Sequence, residues 1–266
     1  MERISQEKLD IKIKLHEKWL STDGKEGSKL DLSNVDLSEC NLSKKNLSYA
    51  NLKEVDLFAA DLREVNLSYS NLEDAFLLDI NLTGSYLTGA ILKGSNLTGA
   101  DLSNSILSDA NLNYATLVDA NLYFANLRGA TLEDAYLTNA ILNCADLTEA
   151  NLKYTHLGGS SLINTCFRNS NLTNANLSQA SIQNILGLNI YSVDNIGTFN
   201  GKVTYIPSLD RVFAGCWKGS LDEFLNRGLY MNVDNEQQIK LIKQAYNFFK
   251  VCEEIENEEK NYKYIE

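Results

Sequence analysis

The stretch TGAILKGSNLTGADL, residues 88–102, places Leu92, Leu97 and Leu102 five residues apart. An amphipathic helix returns to its face every third or fourth residue and a strand every second, so neither element accounts for the spacing. Followed outward, the fifth-residue series is leucine without exception from Leu32 to Leu162 and continues as Phe167, Leu172, Leu177 and Ile182, with no insertion or deletion. A small residue usually stands two positions before each of these, and from Ala110 to Ala150 it is always alanine. Asn or Asp dominates the position immediately before.

A five-residue unit with one large and one small inward position closes on itself if each unit makes one short side and a corner. Gly84, Gly89, Gly94, Gly99, Asn104, Asp109, Asp119, Gly129, Asp134 and Asn139 stand two residues after the inward leucine. These residues tolerate positive φ at the third position of a type II turn, so the corners are expected there. The spacing therefore predicts a closed all-β solenoid over residues 29–184.

The unit A-(D/N)-L-x-x, as in Ala110-Asn111-Leu112-Asn113-Tyr114 and Ala145-Asp146-Leu147-Thr148-Glu149, resembles the pentapeptide-repeat family. That resemblance implies a right-handed quadrilateral β-helix with four units per coil, here about eight coils and roughly 37 Å of rod at the usual inter-strand spacing. Departures from the pattern are few. Lys45 takes a small inward position, and Phe76, Tyr86, Ile91, Ile106, Tyr136, Ile141, His156 and Cys166 replace Asn or Asp.

A solenoid needs its ends covered. Residues 1–28 are expected to supply an N-terminal capping helix with Ile4, Ile11, Leu15 and Trp19 near one face, closed by a turn at Gly24 and Gly27. The segment HEKWLSTDGKEG resembles N-terminal caps of other pentapeptide-repeat proteins. Residues 185–200 read as an exit from the rod, and 201–266 as a small α+β tail. In the tail a hairpin of Val203 to Ile206 and Arg211 to Cys216 turns at Pro207, a capping box opens at Ser220, and a longer helix runs from Glu236 to about Glu256. The segment YIPSLDRVFAGCWKGSLDEF resembles a tail that follows such arrays in some bacterial and phage-associated proteins, and carries no implied activity.

The net charge of −11 disfavours generic phosphate-backbone binding, so no direct nucleic-acid partner is expected. No membrane-spanning run and no apolar leader follow from the sequence, which makes a cytoplasmic protein the expectation. Five scattered cysteines form neither a disulfide framework nor a zinc motif. The N-x-S/T sequons read as by-products of the period, and the aspartates lack the ligand-dense spacing of calcium loops. His16 and His156, the only histidines, lie in no nucleophile, metal or phosphate motif. The chain is expected to be a non-enzyme without cofactor or metal.

Because nothing interrupts the count, residues 20 apart should stack. Residues 31–184 carry eight basic and seventeen acidic residues. The face built from 35–39 and every twentieth residue onward carries Asp36, Glu39, Asp56, Asp79 and Asp119 and no Lys or Arg, with Phe58, Phe76, Leu78, Val118 and Tyr136 also pointing outward. A stacked acidic and apolar surface suggests a docking face for a protein partner. In the tail, Phe213, Trp217, Tyr230 and Phe248 are candidate anchors for a partner or for dimerisation. The family resemblance implies an alternative, since some pentapeptide-repeat proteins mimic duplex DNA, bind DNA gyrase or another type II topoisomerase and protect it from quinolones. The uncharged corners and near-neutral coil of 80–99 interrupt any such acidic stripe.

Overall fold

The computed structural model describes residues 1–188, 191–194, 202–214 and 217–262. It divides into two compact units, Met1–Ala175 with Ala180–Leu186, and Asn176–Gln179 with Gly187–Glu266.

The first unit is a β-helix solenoid made of single-residue bridges rather than long strands. Asp31 pairs in parallel with Asn51, Asn51 with Asn71 and Asn71 with Ile91, and equivalent 20-residue steps recur on the other sides. Four pentapeptides therefore complete each coil. At every corner from Asn34 to Asn184 the residue two after the inward side chain has φ between 52 and 70°. The turn closes by a bond such as Ala50 N–H to Leu47 O at 3.1 Å, and positive φ at the third position alone identifies type II.

The repeat consensus follows from hydrogen-bond demand, because each unit has five amides to satisfy. In the unit around Leu97, the Asn96 N–H donates to Ala75 O one coil earlier, while Leu97 and Gly99 donate to Thr116 O and Val118 O one coil later. Ala100 N–H closes the turn on Leu97 O. The remaining amide, Thr98 N–H, is taken by the Asn96 side chain at 3.1 Å. Asn or Asp before the leucine is thus a side-chain acceptor for an amide that the ladder does not use.

The leucine column is the core, with Leu37 to Leu162 essentially without exposure and Phe167 filling the same column. Where serine replaces alanine at the small position, as at Ser70 and Ser95, its hydroxyl returns a bond to the carbonyl three residues back, at 2.7 Å in both cases. Coil register also outlasts the leucine pattern: Leu186 N–H donates to Thr165 O and Leu186 O accepts from Phe167 N–H.

Helix α1, Gln6–Ser21, starts from an N-cap at Ser5, and short strand β1, Glu2–Arg3, pairs in parallel with β2, Val35–Asp36. The expected apolar face of this helix is corrected. Ile11 and Leu15 are exposed, and the buried stripe is Leu9, Ile13 and His16. The reason is polar: residues 4–16 satisfy groups that the first coil would otherwise offer to a preceding coil. Asp36 O accepts from Ile4 N–H, and the Gln6 carboxamide both accepts from Asn41 N–H at 2.9 Å and donates to Asn41 O at 3.1 Å. His16 Nε2 reaches Ser48 O at 3.0 Å while Leu30 N–H donates to His16 Nδ1 at 3.1 Å. Lys45, the misfit in a small position, sits beside this helix with its ammonium 3.9 Å from Asp10.

The second unit holds an antiparallel sheet in the order β3–β4–β5–β6, comprising Tyr191–Asp194, Lys202–Ile206, Arg211–Ala214 and Trp217–Gly219. Strands β3 and β6 were not expected, and β3 falls in the presumed exit segment; residues 189–190 and 195–201, and Cys216, lie outside the described residues. Pro207–Leu209 forms a 3₁₀ turn between β4 and β5. Helices α2, Leu221–Met231, and α3, Glu236–Tyr262, follow. The capping box is present: Glu223 N–H donates to Ser220 Oγ and Ser220 N–H to Glu223 Oε2 at 2.8 Å. The core of this unit gathers Val203, Tyr205, Val212, Phe224, Ile242 and Phe249.

Candidate interaction surfaces

The ladder Asp36, Asp56, Phe76, Asn96, Thr116, Tyr136, His156 runs up the acidic face through successive bridges. Phe58, Phe76, Leu78 and Tyr136 are exposed on it, Glu39, Asp79 and Asp119 likewise, and Val118 is half-buried. Phe76 and Leu78 flank the inward Leu77, and Phe58 lies one coil below Leu78. These three side chains therefore cluster.

The acids on this face are not equivalent. Asp36 accepts from both the amide and the hydroxyl of Ser38, and those bonds, with Arg3 nearby, hold its carboxyl below the usual carboxylate range. Glu39 pairs with Arg3 at 3.0 Å, so the N-terminal strand brings a cation to a face whose own blocks contain none. Asp56 accepts the Phe58 amide at 2.9 Å. Asp79 leans over Gly99 in the next coil, where a Cβ would collide with its carboxylate. His156, which takes a position that Asn or Asp usually fills, stacks on Tyr136 with ring centroids 4.6 Å apart and planes 1° from parallel.

Apolar exposure is not confined to this face. Tyr49, Tyr69, Tyr86, Ile91, Tyr114, Tyr123, Phe124, Ile141 and Tyr154 are exposed on the other sides. What distinguishes the acidic face is the pairing of apolar with anionic side chains. On the side from 50–54 onward, charges instead alternate coil by coil, with Glu73 between Lys53 at 3.2 Å and Lys93 at 3.8 Å.

The tail candidates separate into two kinds. Phe213 is 2% exposed and belongs to the buried residues, so it is corrected from surface anchor to packing residue. Trp217 packs partly buried against the core, 6.4 Å from Phe224 and with the Arg227 guanidinium 5.9 Å from its ring. Tyr230 is 85% exposed and Phe248 is exposed on α3. Val233, Met231 and Val251, which sequence reasoning passed over, are exposed as well. For Met231 and Val233 the signal was the break in apolar periodicity where α2 ends, whereas Val251 lies within α3.

Among the described residues no group of His, Cys, Asp and Glu is arranged to hold a metal ion, and no helix is long and apolar enough to cross a membrane.

Residues 31–68, 66–104, 105–143 and 140–179 match the profile of pentapeptide repeats, eight copies in all. The chain belongs to the pentapeptide-repeat family. Proteins of this family are generally structural or interaction proteins rather than enzymes. No curated protein matches this pentapeptide-repeat chain. Among solved structures it is similar to HetL, a pentapeptide-repeat protein involved in heterocyst differentiation regulation in the cyanobacterium Nostoc, at 31% identity over 58% of this chain and 75% of HetL, with a TM-score of 0.32. QnrB1, a plasmid-mediated fluoroquinolone resistance protein, is 17% identical over 59% of this chain and 89% of its own, with a TM-score of 0.32. A pentapeptide-repeat protein of the Arabidopsis thaliana thylakoid lumen is 27% identical over 45% and 70%, with a TM-score of 0.20.

Proposed function

We propose that this pentapeptide-repeat protein is a non-enzymatic interaction protein whose acidic, apolar-studded face docks a protein partner. The presenting body is a right-handed quadrilateral β-helix of about eight coils over 29–184, with 1–28 as its N-terminal cap and 201–266 as an α+β tail. One observation carries the reading. Phe58, Phe76 and Leu78 are exposed together beside Asp56 and Asp79, on the face whose own blocks contain no Lys or Arg. Such a surface suits a partner with a basic, apolar contact patch. Tyr230 and Phe248 are the tail residues we assign to a further contact or to dimerisation.

The test is site-specific photocrosslinking in cells. A crosslinker at Leu78 should trap a partner that Phe58→Ser and Phe76→Ser together abolish, whereas one at Asn113, on another side, should not. Equal trapping at both positions would discard the face.

A DNA-mimic directed at gyrase is the second reading, resting on the acidic excess. Its weakness is the gap between Asp79 and Asp119, where the face offers only Asn96, Thr98, Gly99, Thr116 and Val118. A supercoiling assay with purified gyrase, with and without quinolone, decides it: neither inhibition nor protection at micromolar protein removes the mimic.

A further inference from the structure

Helix α1 has an outward face that capping does not require. Its stripe of Leu9, Ile13 and His16 is buried, yet Ile11 and Leu15, one turn apart on the opposite side, are about half exposed. At about 3.6 residues per turn, Lys8 and Lys12 fall on one flank of this apolar pair and Lys14 and Lys18 on the other. All four lysines are exposed, and Glu7 is the one acid within the same arc. Lys18 is held by Glu26 at 2.6 Å, whereas Lys8, Lys12 and Lys14 are in no salt bridge among the described residues. A cap that only shields the end of a solenoid needs a polar outer face. This one is basic with an apolar centre.

The acidic face has the same plan in the opposite sign. Its middle column is Ser38, Phe58 and Leu78, bordered on one side by Asp36, Asp56 and Phe76 and on the other by Glu39, Ala59 and Asp79. Phe58 and Leu78 stand one coil apart, about 4.8 Å, which is close to the rise of about 6 Å between Ile11 and Leu15 along a helix. Of the bordering acids, Asp36 is engaged by Ser38 and Glu39 by Arg3. Asp56 and Asp79 are in no salt bridge among the described residues, so they are the charges that the face offers to a partner.

The two surfaces do not cover each other within one chain, because the apolar residues of both are exposed in it. Charge then restricts how copies can meet. Two acidic faces laid together repel, and two α1 faces do likewise, which disfavours a symmetric contact of either kind. The complementary arrangement is heterologous, with α1 of one copy on the acidic face of the next.

We infer that the occupant of the acidic face is a second copy of this chain, whose α1 lays Ile11 and Leu15 on Phe58, Phe76 and Leu78 while Lys8, Lys12 and Lys14 reach Asp56 and Asp79. This rests on the reading of that face as a docking surface and names its partner. Each contact leaves one copy's α1 and the other copy's face open, so association continues past a dimer unless a ring closes.

The experiment uses the purified full chain with no other protein present. A benzophenone crosslinker at Leu78 of one copy, mixed with a copy carrying a larger tag, should give a product of mixed size whose crosslinked peptide lies within Gln6–Ser21 of the tagged chain. Sedimentation velocity should show association with Kd on the order of 10–100 µM, weakened about fivefold or more between about 50 and 500 mM salt. A chain with Asp56→Lys and Asp79→Lys, and another with Lys8→Glu, Lys12→Glu and Lys14→Glu, should each fail to self-associate, and their mixture should recover to within about threefold of the parent. Should either reversed chain lose its cooperative thermal transition, Ile11→Ser with Leu15→Ser takes its place and should abolish association. The inference is overturned by a parent chain that stays monomeric at about 500 µM, by crosslinks that map outside α1, or by a mixture that associates no better than its components. If the purified chain gives no product, trapping of a different protein by the same crosslinker in cells keeps the docking face and discards only this occupant. Silence in cells as well discards both.

Discussion

His16 accepts the Leu30 amide proton at Nδ1, 3.1 Å away, in a setting where the imidazole is fully buried. Because Nδ1 is the acceptor, the proton of the neutral ring is on Nε2, which donates to Ser48 O. One side chain thus ties α1 both to the segment entering the first coil and to the coil itself.

That arrangement makes stability pH-dependent. Burial lowers the His16 pKa, more than the Ser48 bond and Glu17 raise it, and Lys29 lowers it further. The unfolded chain takes up this proton near its ordinary pKa of about 6.5 and the folded chain resists it, so the stabilisation is complete above that value. It is lost as pH falls from there through the depressed folded pKa. The melting temperature of the parent should decline between about pH 7 and pH 5, and His16→Ala should flatten this segment of the profile. At pH 8 the same substitution should cost about 2–4 kcal/mol, because it leaves the Leu30 amide and Ser48 carbonyl without partners.

Corner glycines differ in what replaces them. Gly84 and Gly99 both have positive φ, but an added Cβ at Gly84 meets only Glu64 Cγ at 3.7 Å, an ordinary contact, whereas at Gly99 it meets the Asp79 carboxylate. Gly84→Ala should cost about 1 kcal/mol from backbone strain alone. Gly99→Ala should cost more in urea unfolding, and adding Asp79→Ala should recover the excess. Equal costs at the two sites would show that Asp79 swings aside freely.

In the middle of the rod, Leu117 is fully buried and Asn96 supplies the acceptor for Thr98. Leu117→Ala should destabilise by about 2–5 kcal/mol through the cavity it leaves. Asn96→Ala should cost only about 1 kcal/mol, since the Thr98 amide can turn to water. Chemical denaturation of the two variants measures the ratio.

In the second unit, Gly228 of α2 lies against α3, and a Cβ there would come within 2.8 Å of Ile242 Cγ2. Gly228→Val should loosen the tail, with Phe224 and Phe249 gaining solvent access. Hydrogen exchange should rise in α2 and α3 while the amides of the leucine column keep their protection.

The acidic face is legible in the sequence, because an uninterrupted period turns residue number into position: Phe58 and Leu78, 20 residues apart, fall one coil above the other. The role of Arg3 could not be read that way, since it reaches Glu39 from outside the repeat. The same limit applied to α1. Its apolar residues suggested Ile11 and Leu15 as the inward face, yet the inward stripe includes a histidine because both ring nitrogens find backbone partners. Phe213 and Trp217 looked like equivalent anchors until strand pairing turned Phe213 into the core.

The sequence by itself determined the coil, its corners and its buried column, since a five-residue period repeats one local hydrogen-bond problem and one answer to it. Only the tertiary structure decided how the repetition stops at the first coil. There the missing neighbour is replaced by Ile4, Gln6 and His16, whose partners lie some 14 to 35 residues away in the chain. Such contacts obey no period, and their chemistry exists only once the helix is laid against the open edge.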